Sequence, residues 1–332
     1  MNPLMIDAIC ALLALVIGIV LYKIFIPVLR KVKLGQKILE IGPSWHKSKE
    51  GTPNLGGVIF IFAFLVASAA GFILEYALPN ENGAVADRIG VTQLLIAVFL
   101  LPLLNGLIGF IDDYIKLFKK RNKGLSATQK LVLQFLAAAL YLFLMAHVGL
   151  IDTVITFPWG SALDLGIFYY FLMLLIIVYI INCANLTDGI DGLAGSVALI
   201  VCVMFFVSVH TFYSASLVGA LVAFLIFNFH PAKIFMGDTG SLFLGGFIVS
   251  LAMATGSEFI LLPVSVIWII EGLSVVLQVA SFKLTGKRIF KMSPIHHHFE
   301  KCGWSEVKIV CVFSTVTAAF AALAYYLISL MR

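Results

Sequence analysis

The chain has 332 residues, of which 61% are hydrophobic and 12% are charged. A soluble protein of this size cannot bury so much apolar surface, and the same excess excludes intrinsic disorder. Long, continuous apolar runs exclude a transmembrane β-barrel, whose strands alternate apolar and polar residues. The net charge of +5 comes from basic residues between apolar runs, which membrane topology explains without a nucleic-acid partner. The five cysteines show no CxxC spacing. The composition therefore predicts an all-α polytopic integral membrane protein without a disulfide framework.

Apolar runs of membrane-spanning length follow one another along the whole chain. A spanning helix needs about 20 apolar residues, so the run 192–230 is too long for one crossing and is expected to turn near His210–Ser216. The run 240–283 is expected to divide in the same way at Thr255–Glu258. The sequence predicts a single membrane domain, 1–332, with ten spans at 4–29, 55–78, 89–111, 129–150, 165–184, 192–211, 213–230, 240–256, 258–283 and 306–331.

Basic residues predict the orientation of these spans. The loops 30–54, 112–130 and 283–308 each hold six Lys or Arg residues. Cytoplasmic loops of membrane proteins carry such an excess. We therefore expect five cytoplasmic loops, external termini at both ends, and an external hairpin at 152–164.

The second cytoplasmic loop is expected to begin with Asp112 and Asp113, at the membrane boundary. Adjacent helical positions point about 100° apart, so the two carboxylates are expected to serve different roles. Lys116 lies four residues after Asp112 and shares its helix face. An ordinary charge pair at a helix end is the alternative interpretation of these residues.

Two further loops carry aspartates beside glycines. Asp188 and Asp191 lie in Asn185–Gly195, which has three glycines and no basic residue. Helix capping needs only one acid, which favours a functional role for this loop. Asp238 precedes a span and is either an N-cap or part of a magnesium and phosphate site. Carboxylates without a Cys–His set favour Mg²⁺ over zinc.

The fifth loop contains three consecutive histidines, His296, His297 and His298, after Pro294. A regular helix cannot aim all three at one point, whereas a loop can aim two. Histidines near phosphates donate hydrogen bonds or transfer protons, and a solvated loop is the alternative interpretation. In the ninth span Glu271 is either a functional acid or a hydrogen-bonding partner within the bundle. The loops together predict phosphoryl transfer between a soluble anionic substrate and a lipid phosphate.

Five stretches resemble the phospho-N-acetylmuramoyl-pentapeptide transferase family, within the superfamily of polyprenyl-phosphate N-acetylhexosamine-1-phosphate transferases. They are KEGTPNLGG at Lys49–Gly57, GFIDDYIK at Gly109–Lys116, NLTDGIDGLAG at Asn185–Gly195, NFHPAKIFMGDTGS at Asn228–Ser241 and SPIHHHFE at Ser293–Glu300. Asn54 departs from the family, which usually has Thr at this position. The resemblance implies transfer of phospho-MurNAc-pentapeptide from UDP-MurNAc-pentapeptide to undecaprenyl phosphate, giving lipid I and UMP. It also implies a bacterial cytoplasmic membrane protein with its active site facing the cytoplasm.

The resemblance implies roles for particular residues. The catalytic residues would be Asp112, Asp113, Asp238 and His297, with the three aspartates also as Mg²⁺ ligands. The substrate-binding residues would be Lys49, Asn54, Lys116, Asn185, Asp188, Gly189, Asp191, Asn228, Phe235, Gln278, His296 and His298. Phe235 would stack on uracil, where nucleoside antibiotics such as tunicamycin or muraymycin would compete.

Family members also look like homodimers with a bent ninth span beside a lipid groove, and Pro263 and Gly272 are the expected bending points. The nearest alternative is a related polyprenyl-phosphate GlcNAc-1-phosphate transferase. An ion-coupled transporter is a more distant alternative. It predicts acids near the middle of several spans, whereas most of the acids here cluster at the expected cytoplasmic ends. An interaction scaffold gives no reason for the aspartate and histidine loops.

Overall fold

Helices make up almost all of the chain that the computed structural model describes, which comprises residues 2–31, 49, 51–77, 90–118, 124–256 and 258–331. The α-helices are α1 Pro3–Lys31, α2 Gly56–Ala77, α3 Val91–Leu94, α4 Leu101–Phe118, α5 Ala127–His147, α6 Phe168–Thr187, α7 Leu193–Val209, α8 Phe212–Asn228, α9 Gly237–Met253, α10 Leu261–Val264, α11 Val266–Thr285, α12 Ile295–Lys301 and α13 Glu306–Leu330. A π-helical turn, Leu95–Leu100, joins α3 to α4, and a 3₁₀ turn, Glu258–Ile260, precedes α10. Most of the basic loop 30–54, and Lys120 with its neighbours in the second loop, lie outside the described residues.

Membrane-spanning length is common among these helices. Seven segments of the described chain are long and apolar enough to cross a membrane: Pro3–Lys31, Gly56–Glu75, Val91–Leu117, Ala127–His147, Phe168–Thr187, Val266–Thr285 and Glu306–Leu330. The shorter helices α7, α8 and α9 are also apolar and have 17 residues each. At 1.5 Å per residue such a helix is about 25 Å long, close to the 30 Å of a bilayer core. The chain is therefore a largely helical polytopic membrane protein.

Helix α9 lies at the centre of the molecule. Every residue from Thr239 to Met253 is buried, and α9 packs against α2, α4, α6 and α7. A helix that is apolar all round is buried on every side, which fits this position. Gly109 of α4 lies directly on the backbone of Asp238, where a side chain would collide. The close approach brings the end of α4 beside the start of α9.

Helix breaks divide the two long apolar runs. His210 has a left-handed backbone (φ 49°) and ends α7, one residue before Thr211 and the start of α8. In the second run α9 ends at Met253. A further break at Ser265 separates α10 from α11, two residues after Pro263. Gly272 instead lies against the thiol of Cys183, where it allows close helix packing.

Two expectations about loops are wrong. Asp112 and Asp113 do not begin a loop but lie inside α4, which continues to Phe118, and both are buried. The histidine segment is also helical, as the two-turn helix α12. Extra helix is possible at both places because buried polar side chains find partners on other helices: Asp113 contacts Thr239 of α9, and His296 contacts Glu271 of α11.

A small β-hairpin connects α5 to α6. Strands β1, Val154–Thr156, and β2, Ala162–Asp164, pair antiparallel. Trp159 at the tip stacks on Phe157 with 5.0 Å between ring centroids and meets Phe259 edge-on at 5.2 Å. The hairpin thus packs against the turn after α9, at the end opposite to Asp238.

Candidate active site

Asp113 lies against the first residues of α9. Its Oδ2 accepts hydrogen bonds from the Thr239 backbone N–H (2.9 Å) and hydroxyl (2.7 Å), and its Oδ1 accepts one from the Asp238 N–H (3.2 Å). The first N–H groups of a helix have no partner within that helix, so Asp113 caps α9 from α4. Gly237 makes room for this contact, since it has a left-handed backbone (φ 76°) and a side chain there would meet Asp113 and Asn54.

Asp112 faces a different neighbour, the segment before α5. Its Oδ1 accepts a hydrogen bond from the Leu125 N–H at 2.7 Å, and Lys116 pairs with its Oδ2. Gly124 packs so closely on this carboxylate that a side chain would collide with it. The adjacent aspartates therefore have different partners, as the 100° between neighbouring helix positions predicts.

Asp238 connects three other helices. Its Oδ2 accepts hydrogen bonds from Lys116 Nζ (2.9 Å) and Lys130 Nζ (3.0 Å), and its Oδ1 accepts one from Asn185 Nδ2 (3.0 Å). Asn185 also donates to Ser241 Oγ at 2.8 Å, which holds its amide in place. We refer to Asp112, Asp113, Asp238, Lys116 and Lys130 as the Asp238 site.

Lys130 also belongs to this site, although its place in the sequence indicates only one of the six basic residues of loop 112–130. Ser126 and Gln129 form a reciprocal capping box in which each side chain accepts a hydrogen bond from the other residue's backbone N–H. This S-x-x-Q signature starts α5 at Ala127 and therefore places Lys130 in the first turn of the helix. The capping box was the available signal that Lys130 is held by a helix.

The carboxylates of the Asp238 site fit a divalent cation. One oxygen from each of Asp112, Asp113 and Asp238 lies within 4.8 Å of the others. Magnesium takes hard oxygen ligands, usually one or two carboxylates together with water and phosphate oxygens. All three carboxylates have protein partners. Those of Asp113 are on α9 itself, whereas Asp112 Oδ2 and Asp238 Oδ2 pair with lysine side chains, which a cation can displace. Asp112 and Asp238 are therefore the better ligands of the three.

The loop after α6 lies between this site and the histidine helix. Burial, together with the negative charges of Asp238 and Asp113, raises the pKa of Asp188 to about 8. A cation arriving at the Asp238 site would favour the charged form of Asp188. The next residue, Gly189, contacts the imidazole of His296, and a side chain there would collide with Nε2.

The three histidines point to three different partners. His296 is fully buried, and its Nδ1 lies 3.1 Å from Oε1 of the equally buried Glu271. His297 Nδ1 lies 2.6 Å from Glu300 Oε2. His298 Nδ1 accepts a hydrogen bond from a backbone N–H of the loop after α11. Glu271 is therefore a hydrogen-bonding partner within the bundle that holds α12 against the Gly189 loop.

A second group of charged residues gathers around Lys49. Lys49 Nζ lies 2.7 Å from both Asp191 Oδ1 and Glu306 Oε2. The other Asp191 oxygen accepts a hydrogen bond from the Ala232 N–H (3.0 Å) and lies 3.0 Å from His230 Nδ1. We refer to Lys49, Asp191, His230 and Glu306 as the Lys49 cluster.

Two of the predicted substrate-binding residues hold loops together. Asn228 Oδ1 accepts a hydrogen bond from the Gly192 N–H (3.0 Å), and its Nδ2 donates to the Ile234 carbonyl (2.9 Å). The side chain of Gln278 forms three hydrogen bonds with the backbone of residues 289–290. These contacts position the segments that lead to α9 and α12.

Asn54 and Phe235 lie together at the start of α2. Asn54 is buried, and its Oδ1 has no hydrogen-bond partner within the described part of the chain. This oxygen lies where a side chain at Gly237 would be. The ring of Phe235 is partly exposed, while its backbone forms hydrogen bonds with Pro53 and Gly56. The structure therefore brings Asn54, Asp112, Asp113, Lys116, Asn185 and Asp238 together, and it places Lys49 and Asp191 in a separate group.

This arrangement suits phosphoryl transfer better than other acid–base chemistry. Two lysines and a cation site can balance the negative oxygens of a transferring phosphoryl group, which is the main requirement of that reaction. Both lysines converge on Asp238 Oδ2, at the N-terminus of a buried helix, where the helix dipole also favours anions.

Comparisons with known proteins agree with this chemistry. The Glycosyl transferase family 4 model matches residues 95–256. The phospho-N-acetylmuramoyl-pentapeptide-transferase of Halalkalibacterium halodurans is 43% identical over 326 residues, which cover 95% of this chain and 95% of that protein. The transferase of the same name from Clostridium botulinum is 44% identical over 333 residues, covering 98% and 97%. That of Shouchella clausii is 41% identical, covering 95% of each.

Proposed function

The chain belongs to the phospho-N-acetylmuramoyl-pentapeptide transferase family and is an enzyme of lipid I synthesis; we propose that the Asp238 site carries out its reaction. In this proposal phospho-MurNAc-pentapeptide passes from UDP-MurNAc-pentapeptide to undecaprenyl phosphate, and UMP leaves. The observation that carries the assignment is the convergence of Lys116 and Lys130 on Asp238, beside the buried carboxylate of Asp112. It supplies positive charge and carboxylate ligands at one point.

Mg²⁺ is the proposed cofactor, held by Asp112 and Asp238. When bound, the ion would neutralise charge on the donor pyrophosphate. Lys116 and Lys130 would bind phosphate oxygens around the same point, because they approach Asp238 from α4 and from α5. Asp113 would keep the start of α9 in place through its three hydrogen bonds.

A single displacement fits this geometry. An oxygen of the lipid phosphate attacks the phosphorus that carries the sugar, the bond from that phosphorus to the UMP oxygen breaks, and UMP takes the electron pair. The lipid phosphate needs little base strength, since its second pKa is about 6 by analogy with phosphoserine. Asp112 would orient it or accept its remaining proton.

Lipid-free exchange distinguishes the two mechanisms. A covalent intermediate would let delipidated enzyme exchange labelled UMP into UDP-MurNAc-pentapeptide. We expect no such exchange, and its appearance would overturn the single displacement.

The proposed orientation has ten crossings, both termini external, and the Asp238 site facing the cytoplasm of a bacterial cell. It is supported by the basic loops and by the position of the β-hairpin opposite to Asp238. Cysteine labelling from outside intact cells should modify Trp159→Cys and should not modify Lys308→Cys. Labelling of both positions from one side would contradict the orientation.

Family membership also supports a homodimer and competition at the donor site by nucleosides such as tunicamycin or muraymycin. Crosslinking in membranes tests the first point, and inhibition kinetics against UDP-MurNAc-pentapeptide test the second. Competitive inhibition is the expected pattern.

The decisive assay is formation of lipid I by purified enzyme from UDP-MurNAc-pentapeptide and undecaprenyl phosphate, with UDP-GlcNAc as the comparison donor. We expect turnover only with the muramoyl donor and loss of turnover in EDTA, restored by Mg²⁺. Preference for UDP-GlcNAc would instead assign the chain to the sister branch of transferases.

A further inference from the structure

Glu306 has contacts that its place in the sequence does not explain. It is the first residue of α13, directly after the N-cap Ser305. An acid in the first turn of a helix is ordinarily stabilised by the helix dipole and points to solvent. The side chain of Glu306 is instead only 12% exposed, and its Oε2 reaches across to Lys49 and to the backbone of Asp191.

A single oxygen of Glu306 holds two groups from different loops. Oε2 accepts a hydrogen bond from Lys49 Nζ at 2.7 Å and another from the Asp191 N–H at 2.9 Å. Lys49 in turn bonds the carboxylate of Asp191 at 2.7 Å. The three residues therefore form a closed ring of hydrogen bonds in which each contact restrains the other two.

This ring determines how Lys49 is presented. An ammonium group has three N–H donors, and in the described chain two of them are directed to Asp191 and Glu306. The side chain of Lys49 is 15% exposed. Among the residues that the structure describes, one donor of this restrained cation is left for a ligand.

The ring adjoins the site of phosphoryl transfer through a short segment of chain. Asp191 lies three residues after Asp188, whose pKa is raised in part by the charge of Asp238. Gly189 and its contact with His296 lie between them. The same short loop therefore carries Asp188, which feels the charge of Asp238, and Asp191, which belongs to the Lys49 cluster.

We propose that Glu306 is a positioning residue for the nucleoside half of the donor, acting through Lys49 and the Asp191 loop. The proposal rests on the function proposed above, in which the donor pyrophosphate lies at the Asp238 site, and it places the attached uridine at the Lys49 cluster. Uracil and ribose carry several hydrogen-bond acceptors, which an oriented ammonium group can bind. Glu306 does not touch the donor; it holds the group that does.

The test replaces the charge of Glu306 and keeps its shape. In Glu306→Gln the amide oxygen can still accept from the Asp191 N–H, but the ion pair with Lys49 is lost. Hydrogen bonds to charged groups are the stronger ones. We expect the KM for UDP-MurNAc-pentapeptide and the inhibition constant of UMP to rise about tenfold, with kcat within about threefold and the KM for undecaprenyl phosphate unchanged.

Two further variants make the result specific. Glu306→Asp keeps the charge on a shorter side chain and should recover part of the UMP affinity. Glu258→Gln is the matched control: Glu258 accepts a hydrogen bond from Tyr169 at 2.6 Å, near the β-hairpin, so its loss should leave both constants unchanged. A merely structural role would lower kcat, lipid affinity and donor affinity together.

UMP binding separates this inference from the proposed function. Glu306→Gln with unchanged UMP affinity, or with equal losses for both substrates, would overturn the positioning role. Absence of UMP binding by the wild type would overturn it as well. Weakened UMP binding in Glu306→Gln by an enzyme that fails to use UDP-MurNAc-pentapeptide would keep the inference and reject the proposed reaction.

Discussion

The Asp238 site and the Lys49 cluster are built from similar residues in opposite ways. Each contains three side chains whose ligand atoms lie within 4.8 Å of one another, and each pairs carboxylates with lysine. At the Asp238 site one carboxylate oxygen is shared by two lysines. In the Lys49 cluster one lysine is shared by two carboxylates.

The Asp238 site brings two cations to one carboxylate, whereas the Lys49 cluster fixes the position of one cation. Lys116 at the Asp238 site pairs with both Asp112 and Asp238 but is 38% exposed, so its ammonium group can reach an incoming phosphate. Lys49 is enclosed by two acids that restrain it to one position. We conclude that the first arrangement suits chemistry on phosphate and the second suits recognition of a substrate.

The largest effect is expected from the carboxylates nearest the lysines. Asp112→Asn and Asp238→Asn should each lower kcat at least about 10²-fold, because the proposed cation ligand or proton acceptor is lost. Lipid I formation and Mg²⁺ titration measure this. Full activity of both variants would remove the reaction from the Asp238 site.

Asp113→Asn should behave differently from its neighbour. Asp113 caps α9 with three hydrogen bonds, so an amide in its place weakens the cap of the central helix. Loss of a cap costs about 1 kcal/mol. We expect turnover to fall at least about 10²-fold together with a lower thermal midpoint, measured on the same preparation. A variant as stable as Asp112→Asn would contradict a capping role.

Lys130 tests whether two cations are needed at one oxygen. Lys130→Met should lower kcat about tenfold or more and weaken UMP binding less than Glu306→Gln does, because Lys49 is intact. Lys308→Met, which removes a lysine stacked 4.2 Å from the Trp304 ring centroid, is the control and should retain full turnover. Equal UMP affinity losses in Lys130→Met and Glu306→Gln would erase the distinction between the two regions.

Replacing Glu271 should affect both the Asp238 site and the Lys49 cluster. It pairs with His296, which packs on Gly189 in the loop that joins them. Leaving a buried polar group without its hydrogen-bond partner typically costs about 1–3 kcal/mol. Glu271→Ala should therefore lower the thermal midpoint clearly and raise the donor KM. An unchanged midpoint would show that α12 is held by other contacts.

The smallest effect concerns the pH dependence of stability. The pKa of Asp188 is raised to about 8 from its usual value near 4, so between these values the folded protein binds more protons than the unfolded chain. Stability then falls as pH rises through this range. In EDTA the wild type should lose more of its thermal midpoint between pH 5 and pH 8.5 than Asp188→Asn does. Parallel curves would exclude a raised pKa.

The sequence predicts features that depend on nearby residues. Apolar runs indicate the helices, and the break at His210 lies within the predicted turn segment. The hairpin β1–β2 lies within the predicted 152–164. The pairing of Lys116 with Asp112 follows from their spacing of four residues. Each of these depends on local composition or helix geometry, which a sequence displays directly.

Roles of single side chains were harder to predict, because distant segments decide them. Asp113 caps a helix that begins 124 residues later, at Gly237. Asn228 and Gln278 are predicted to bind substrate, and the structure adds that their polar atoms form hydrogen bonds with loop backbones. The sequence pattern indicates where polar residues are needed but does not predict which residues they contact.

By itself the sequence determined a helical membrane protein and indicated which aspartates and histidines are candidates for its site. Membrane helices depend on the apolar content of about 20 successive residues, which is a local property. Only the tertiary structure decided that Lys130 shares Asp238 with Lys116, and that Glu306 holds Lys49 across 257 positions of the chain. Such contacts form because buried charges must find partners in the packed structure, and packing is a property of the whole chain.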